Sequence, residues 1–184
     1  MYGEKVQLDN PAYIHPTALI YGDVKVSEDA SLWPYVVIRG DTNEVVIGKK
    51  TNIQDFVMIH VGLHSGTQIG DNCSITHHCT LHGCRIGDNC LIGINATIMD
   101  GCVIGNNCIV AGHTFLKEGT IIPDNSIVAG IPGKVIKERD CSIENKINAF
   151  GYYENALGFA NGDCHRLKDP DVLSRLGELI AGMS

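Results

Sequence analysis

The chain has 184 residues, enough for one well-buried domain with a small terminal appendage and too few for two full domains. Its formal net charge is −7 and it has no Lys/Arg block, which argues against a nucleic-acid or anionic-membrane surface, because either needs a basic stripe to displace counterions. The start, "MYGEKVQLDNPAYIHP", lacks an export-type apolar run, and no later segment reaches the roughly 20 apolar residues of a membrane span. The eight cysteines are therefore expected as free thiols of a soluble, cytoplasmic protein whose partners are small molecules or proteins.

Along the chain, aliphatic residues recur at 14, 20, 26, 32 and 38, then at 47, 53 and 59, then at 69, 75 and 81, and from 86 at every sixth position to 128. Three steps break the period of six: nine residues from 38 to 47, ten from 59 to 69, and five from 81 to 86. Neither the helical period nor strand alternation gives six, whereas the hexapeptide repeats of a parallel β-helix do. Each hexad is then one short strand and a corner, with its first residue (i) inward and a small inward residue at i+4. Three hexads close a triangular coil, coils stack at roughly 4.8 Å, and the series predicts about six coils.

Cys73, Cys79, Cys90, Cys102 and Cys108 fall at i+4, where other hexads carry Ala18, Ala30, Ala96, Thr114 or Ser126. They are expected as small hydrophobes filling a narrow core. After "IVAGIPGKVIKERD" the period stops, and residues 142–157 and 170–182 predict short helices, the second opened by Asp169 and Pro170. The expected organisation is a β-helix over 1–140 and a helical tail over 141–184, packed on it or on a neighbouring subunit.

Three histidines and two cysteines crowd into "ITHHCTLHGC", residues 75–84. In the hexad register, His60 and His82 both stand at i+1, one coil apart on one face, and Arg39 stands a coil before His60. Two imidazoles so stacked can converge on one ion at roughly 2.0 to 2.1 Å. A third candidate, His77, sits at i+2 of the preceding hexad, on the adjacent face. It fits the same ion if prisms pack face to face around a threefold axis and His77 reaches across. His15, His64, His78, His113 and His165 read as structural or solvent-facing.

These residues carry a family resemblance. "LWPYVVIRGD" (32–41), "IGKKTNIQDFVMIHV" (47–61), "THHCTLHGCRIGDNCLIG" (76–93) and "AGIPGKVIKE" (129–138) resemble the γ-class carbonic anhydrase-like proteins of the left-handed β-helix, hexapeptide-repeat group, over nearly all of residues 9–140. The left hand of the coil comes from that resemblance alone, since parallel crossovers in general are right-handed. The resemblance implies a homotrimer in which His60, His77 and His82 bind a divalent metal, with His77 given by the adjacent subunit. It implies Zn²⁺, with Fe²⁺ or Co²⁺ also suited to imidazoles. Arg39 and Asp41 match an interface ion pair, and Asn52 and Gln54 match polar residues that orient water and substrate. The implied reaction is reversible hydration of CO₂ to bicarbonate by a metal-bound hydroxide.

The chain departs from the fullest catalytic members of that family by carrying Thr42 in place of an acidic residue, and by a short loop after His60, "VGLHSGTQ", without a shuttle carboxylate. His64 is the remaining titratable side chain of that loop near neutrality. Three alternatives share the scaffold: a hexapeptide-repeat acyltransferase, an acyl-CoA thioesterase, and a non-catalytic metal-binding trimer. The two insertions add only three and four residues, which disfavours the long acceptor loop of an acyltransferase. Tyr152 and Tyr153 stand in the tail without an assigned role.

Overall fold

Most hexads fold as a strand of two or three residues in the computed structural model, which describes Gly3 and residues 5–182. Parallel ladders join residues one coil apart, such as Ile53 to Ile75 and Ile75 to Ile92. Three faces result. The first carries Tyr13–Ile14, Ser31–Leu32, Asn52–Ile53, Ser74–Ile75, Leu91–Ile92, Ile109–Val110 and Ser126–Gly130 in spatial order. The second carries Met58–His60, Thr80–His82, Thr97–Ile98 and Phe115–Leu116, and the third Thr67–Ile69, Arg85–Ile86, Val103–Ile104 and Ile121–Ile122. The long strands Leu19–Val26 and Val37–Ile47 run through the corner between the second and third faces and belong to both.

The coil is a left-handed parallel β-helix of about 7 turns, one more than the periodicity suggests. A first strand, Val6–Leu8, pairs with Val24–Val26, but Leu8 at the open end is 39% exposed, so that coil shows no buried aliphatic signature. Strands this short carry little twist, which removes the usual source of right-handed crossovers. At the other end Gly133–Glu138 folds back antiparallel on Ser126–Gly130, a strand the period does not announce, and it covers an edge that would otherwise offer unpaired backbone.

Side-chain chemistry ties coil to coil. Gly70 leaves room for the next coil, since a Cβ there would lie 2.3 Å from Asp88 Oδ1. That Oδ1 accepts the Asp71 N–H at 2.8 Å, and Asn89 Nδ2 donates to Asn107 Oδ1 at 2.9 Å. Asn107 repeats the bond to Asn125 at 3.1 Å. Non-glycine corner residues at i+3 have left-handed φ of 54 to 61°, a region asparagine tolerates better than most residues, which accounts for the recurring Gly-Asp-Asn and Gly-Asn-Asn triplets. As expected, Cys73, Cys79, Cys90, Cys102 and Cys108 are buried among the inward aliphatics, with free thiols.

Two helices form the tail: α1 (Ser142–Ala160) and α2 (Pro170–Ala181). α1 lies on the first face and runs to 160 rather than 157, because Phe159 in its last turn packs on Trp33 with ring centroids 5.1 Å apart. Tyr13 and Tyr152 complete that aromatic group at 5.5 and 5.7 Å from Trp33. α2 starts as expected, its Asp169 cap accepting from the Asp171 N–H, and ends at Ala181 rather than 182. Fully buried Glu154 of α1 joins the tail together, accepting a hydrogen bond from Arg166 at 3.0 Å and ion-paired with Arg175 at 2.8 Å. Among the described residues no helix is long and apolar enough to cross a membrane.

Candidate metal centre

All three breaks in the period fall at one corner, between the second and third faces. The extra residues leave the prism there, through the strand Val37–Ile47 and the loop at 62–66, and both ladder histidines point to the same edge. His60 and His82 lie opposite one another in the parallel ladder, as their spacing predicts.

Their side chains form a line of four groups. Asp41 Oδ1 is 3.0 Å from His60 Nε2, His60 Nδ1 is 3.1 Å from His82 Nε2, and His82 Nδ1 is 2.7 Å from Asp100 Oδ2. Each carboxylate can only accept, so each takes an N–H from the outer nitrogen of its ring. In neutral rings the inner nitrogens then face each other as two lone pairs, an arrangement that is relieved by a cation between them. Two ligands at about 2.05 Å from an ion in tetrahedral geometry sit roughly 3.3 Å apart, close to the separation present here. The donor set therefore fits a divalent ion.

Asp41 also accepts from the Arg39 guanidinium within the same chain. Desolvation works to raise its carboxyl, but the hydrogen bond from His60 and the Arg39 charge outweigh that and hold it below the usual carboxylate range. Behind His82, Asp100 occupies space that two glycines leave free. A Cβ on Gly62 would fall 1.9 Å from Asp100 Oδ1, and one on Gly83, whose φ of +56° also favours glycine, 2.4 Å from it. Ser65 Oγ stands 3.4 Å from the same oxygen.

The other candidates gather at a different corner, between the first and second faces. His77 Nδ1 lies 3.1 Å from Asp55 Oδ2, so the carboxylate stands on the Nδ1 side of the ring and Nε2 faces away from it. Gln54 follows the strand Asn52–Ile53, its N–H donating to the Ile75 carbonyl at 2.9 Å, and its Nε2 donates to Asn52 Oδ1 at 2.9 Å. Asn52 in turn donates to Ser74 Oγ at 2.9 Å. Both amides are buried, yet Gln54 Oε1 accepts no protein hydrogen bond among the described residues. Tyr152 reaches this corner from α1: burial and then the Asp55 charge push its hydroxyl up.

One chain thus holds two half-sites, Arg39, Asp41, His60 and His82 at one edge and Asn52, Gln54 and His77 at another. Among the described residues no group of three His, Cys, Asp or Glu side chains within the chain can hold an ion. His64 lines a groove with Gln68 and Arg85 on the third face. Sequence reasoning missed Asp55 and Asp100. Asp55 was within reach of the register, since it stands one coil from His77 in the same column. Asp100 was not, because Met99, not Asp100, follows His82 in the ladder, and only the irregular corner brings the carboxylate back.

The family model "Bacterial transferase hexapeptide (six repeats)" matches residues 83–118. A "Probable carbonic anhydrase" of Methanocaldococcus jannaschii is 47% identical over 142 residues, covering 77% of this chain and 86% of that protein. "Gamma carbonic anhydrase 1, mitochondrial" of Arabidopsis thaliana is 40% identical over 99 residues, 50% of this chain but only 36% of the plant protein's length. The solved structure of a "putative acetyltransferase" of Bacillus cereus superposes with a TM-score of 0.84 at 30% identity, covering 87% of this chain and 96% of that one.

Proposed function

We infer that this chain, which belongs to the γ-class carbonic anhydrase-like hexapeptide-repeat proteins, hydrates CO₂ reversibly to bicarbonate at a divalent ion shared between subunits of a homotrimer. The ion is held by His60 and His82 of one subunit and His77 of its neighbour. The observation that carries this reading is the carboxylate on each of the three histidines, Asp41, Asp100 and Asp55, at 3.0, 2.7 and 3.1 Å. Such partners fix the ring, choose the tautomer and raise the basicity of metal-ligating imidazoles.

The two half-sites border the second face on opposite sides. Three such faces turned toward a threefold axis bring the His77 edge of one subunit against the His60 and His82 edge of the next. The His77 edge supports that contact by its apolar character, with Tyr35 and Phe56 about half exposed and stacked 5.0 Å apart, and Phe56 stacked on His78 at 4.8 Å. Zn²⁺ is the first choice for three imidazoles, and Fe²⁺ or Co²⁺ also suits them.

When bound, the ion supplies a Lewis acid that brings the pKa of water to about 7. The chain's own residues do the rest. Gln54, with its amide nitrogen committed to Asn52, presents Oε1 as an acceptor that orients a water proton or holds CO₂ in place by excluding other poses. Arg39 balances the charge of Asp41 and keeps that carboxylate turned to His60.

Acyl transfer or acyl-CoA hydrolysis is the second reading, favoured by the likeness to the Bacillus cereus structure. The test is complementation. His77→Ala and His82→Ala each remove one half-site, so each purified variant should hold no ion and hydrate no CO₂. Trimers refolded from a mixture of both should regain one complete site per mixed trimer, at the interface where the intact His77 of one variant meets the intact His60 and His82 of the other. Metal retained by both single variants overturns the site. Metal regained without CO₂ hydration, but with turnover of acyl-CoA, transfers the site to the second reading, and with neither activity leaves a binding scaffold.

A further inference from the structure

On the corner between the third and first faces, opposite the second face, α1 and α2 close over a small basic cleft. We propose that this cleft binds a phosphate dianion, free or as the terminal group of a phosphomonoester, at a site separate from the histidines.

Three cations from three separate segments line it: Lys50 of a β-helix corner, Lys146 of α1 and Arg175 of α2. Asn72 and Tyr153 add an amide and a hydroxyl, and Phe150 with two aliphatic side chains forms an apolar floor. No carboxylate is among the lining residues. That is unusual in a chain of net charge −7.

The three cations differ in what they have left to give. Arg175 lies 2.8 Å from buried Glu154, whose single carboxylate it shares with Arg166, and its guanidinium is 5.5 Å from the Phe150 ring centroid, so its position is fixed and its charge only partly matched. Lys50 has only the face of Tyr153, at 5.3 Å, and among the described residues neither Lys50 nor Lys146 has a carboxylate within ion-pair distance. Two ammonium groups without an ion-pair partner, beside an arginine that shares its carboxylate, favour a dianion over a monoanion. A phosphate has that charge near neutrality, and its tetrahedral oxygens can use Arg175, the amide and the hydroxyl as well. A monocarboxylate or bicarbonate would leave one lysine unmatched.

Two further features favour a built site over a chance cluster. Lys50 sits at a corner position with φ of 54°, where the same column has Asp29 one coil before it and Asn72, Asn89, Asn107 and Asn125 after it. Holding a lysine there costs conformational energy that an asparagine avoids. The side chain of Asn72 also departs from that column: it makes none of the Asn-to-Asn bonds that join Asn89, Asn107 and Asn125, and it faces the cleft instead.

The experiment titrates the full-length protein with inorganic phosphate and, separately, with glycerol phosphate, following backbone amide shifts of Asn72 and Tyr153. Saturable binding with a dissociation constant at or below about 1 mM is expected for at least one of them, and which one binds tighter identifies the source. Lys50→Gln and Lys146→Gln should each weaken binding at least about tenfold, the scale of a lost charge-assisted hydrogen bond. Both lysines are exposed, so neither change threatens the fold. The His82→Ala protein should bind phosphate as wild type does, which separates this cleft from any anion held at a metal. Absence of saturation, equal affinity in the lysine variants, or loss of binding in His82→Ala each overturns the proposal.

Discussion

Asp100→Asn isolates what the carboxylate behind His82 contributes. The wild-type contact is 2.7 Å, short enough for a charge-assisted bond, but the two side chains are 32% and 35% exposed, so solvent screens it. Asparagine keeps the shape and loses the charge. Its amide oxygen can still accept from Nδ1, as a neutral and weaker acceptor that no longer raises the basicity of Nε2. Loss of such a partner typically lowers metal affinity by 10- to 100-fold, equivalent to about 1.4 to 2.7 kcal/mol. Folding stability should change by less than about 1 kcal/mol, because a pair that solvent reaches contributes little to it. Gly83→Ala should reach the same end by another route, since its Cβ would occupy the space of Asp100 Oδ1. The assay is competition with a chelator for Zn²⁺, read beside a thermal melt. Wild-type affinity in Asp100→Asn would refute the assignment of Asp100 as the orienting partner. A large drop in melting temperature would show that Asp100 acts through the fold instead.

Two more predictions concern the scaffold. Burial pushes the Cys79 thiol up to about 11 and the Cys84 thiol to about 12, so both are protonated and unreactive at neutral pH, and exposed Cys164 alone should alkylate readily. A thiol raised in the folded state contributes stability that is whole below the unfolded value of about 8.5, and that is lost as pH rises from there through 11 and 12. Denaturant melts at pH 7, 9 and 10.5 should fall in that order, and a flat profile would refute the burial account. Glu154→Ala removes the carboxylate that Arg166 and Arg175 share, and because both guanidiniums stay solvent-accessible the tail should lose about 1 to 3 kcal/mol. Hydrogen exchange should then quicken in α2 while the amides of the first face stay protected.

Much of this molecule could be read before it was seen. An inward aliphatic every sixth residue is enforced at every coil, so Ile53, Ile75 and Ile92 declared the prism, and the cysteines at i+4 followed from the same count. The register also placed His60 over His82, because ladder partners one coil apart must share a column. What stayed hidden lies where a local period no longer governs. Gly133–Glu138 pairs by reversing direction at a chain end, which no repeat encodes. Asp100 meets His82 only because the corner between them is irregular and two glycines leave it room. Glu154 looked like an ordinary helix charge, since its partners arrive from a segment of different periodicity.

The corner that breaks the period has a meaning beyond this site. Each coil is a closed circuit whose length is set by three sides, and extra chain can leave it only at a vertex, returning to the same rung it left. Here the strand after Ile38 and the loop after His60 do so, and the rungs above and below keep their partners, Ile47 with Ile69 and Ile69 with Ile86. Loop length at that vertex is thus nearly independent of how the stack is held together. The prism resembles a rack with interchangeable fittings at one edge: the shelf spacing is fixed by backbone ladders and asparagine ties, and what projects from the edge can lengthen, shorten or change its acids without re-cutting the frame.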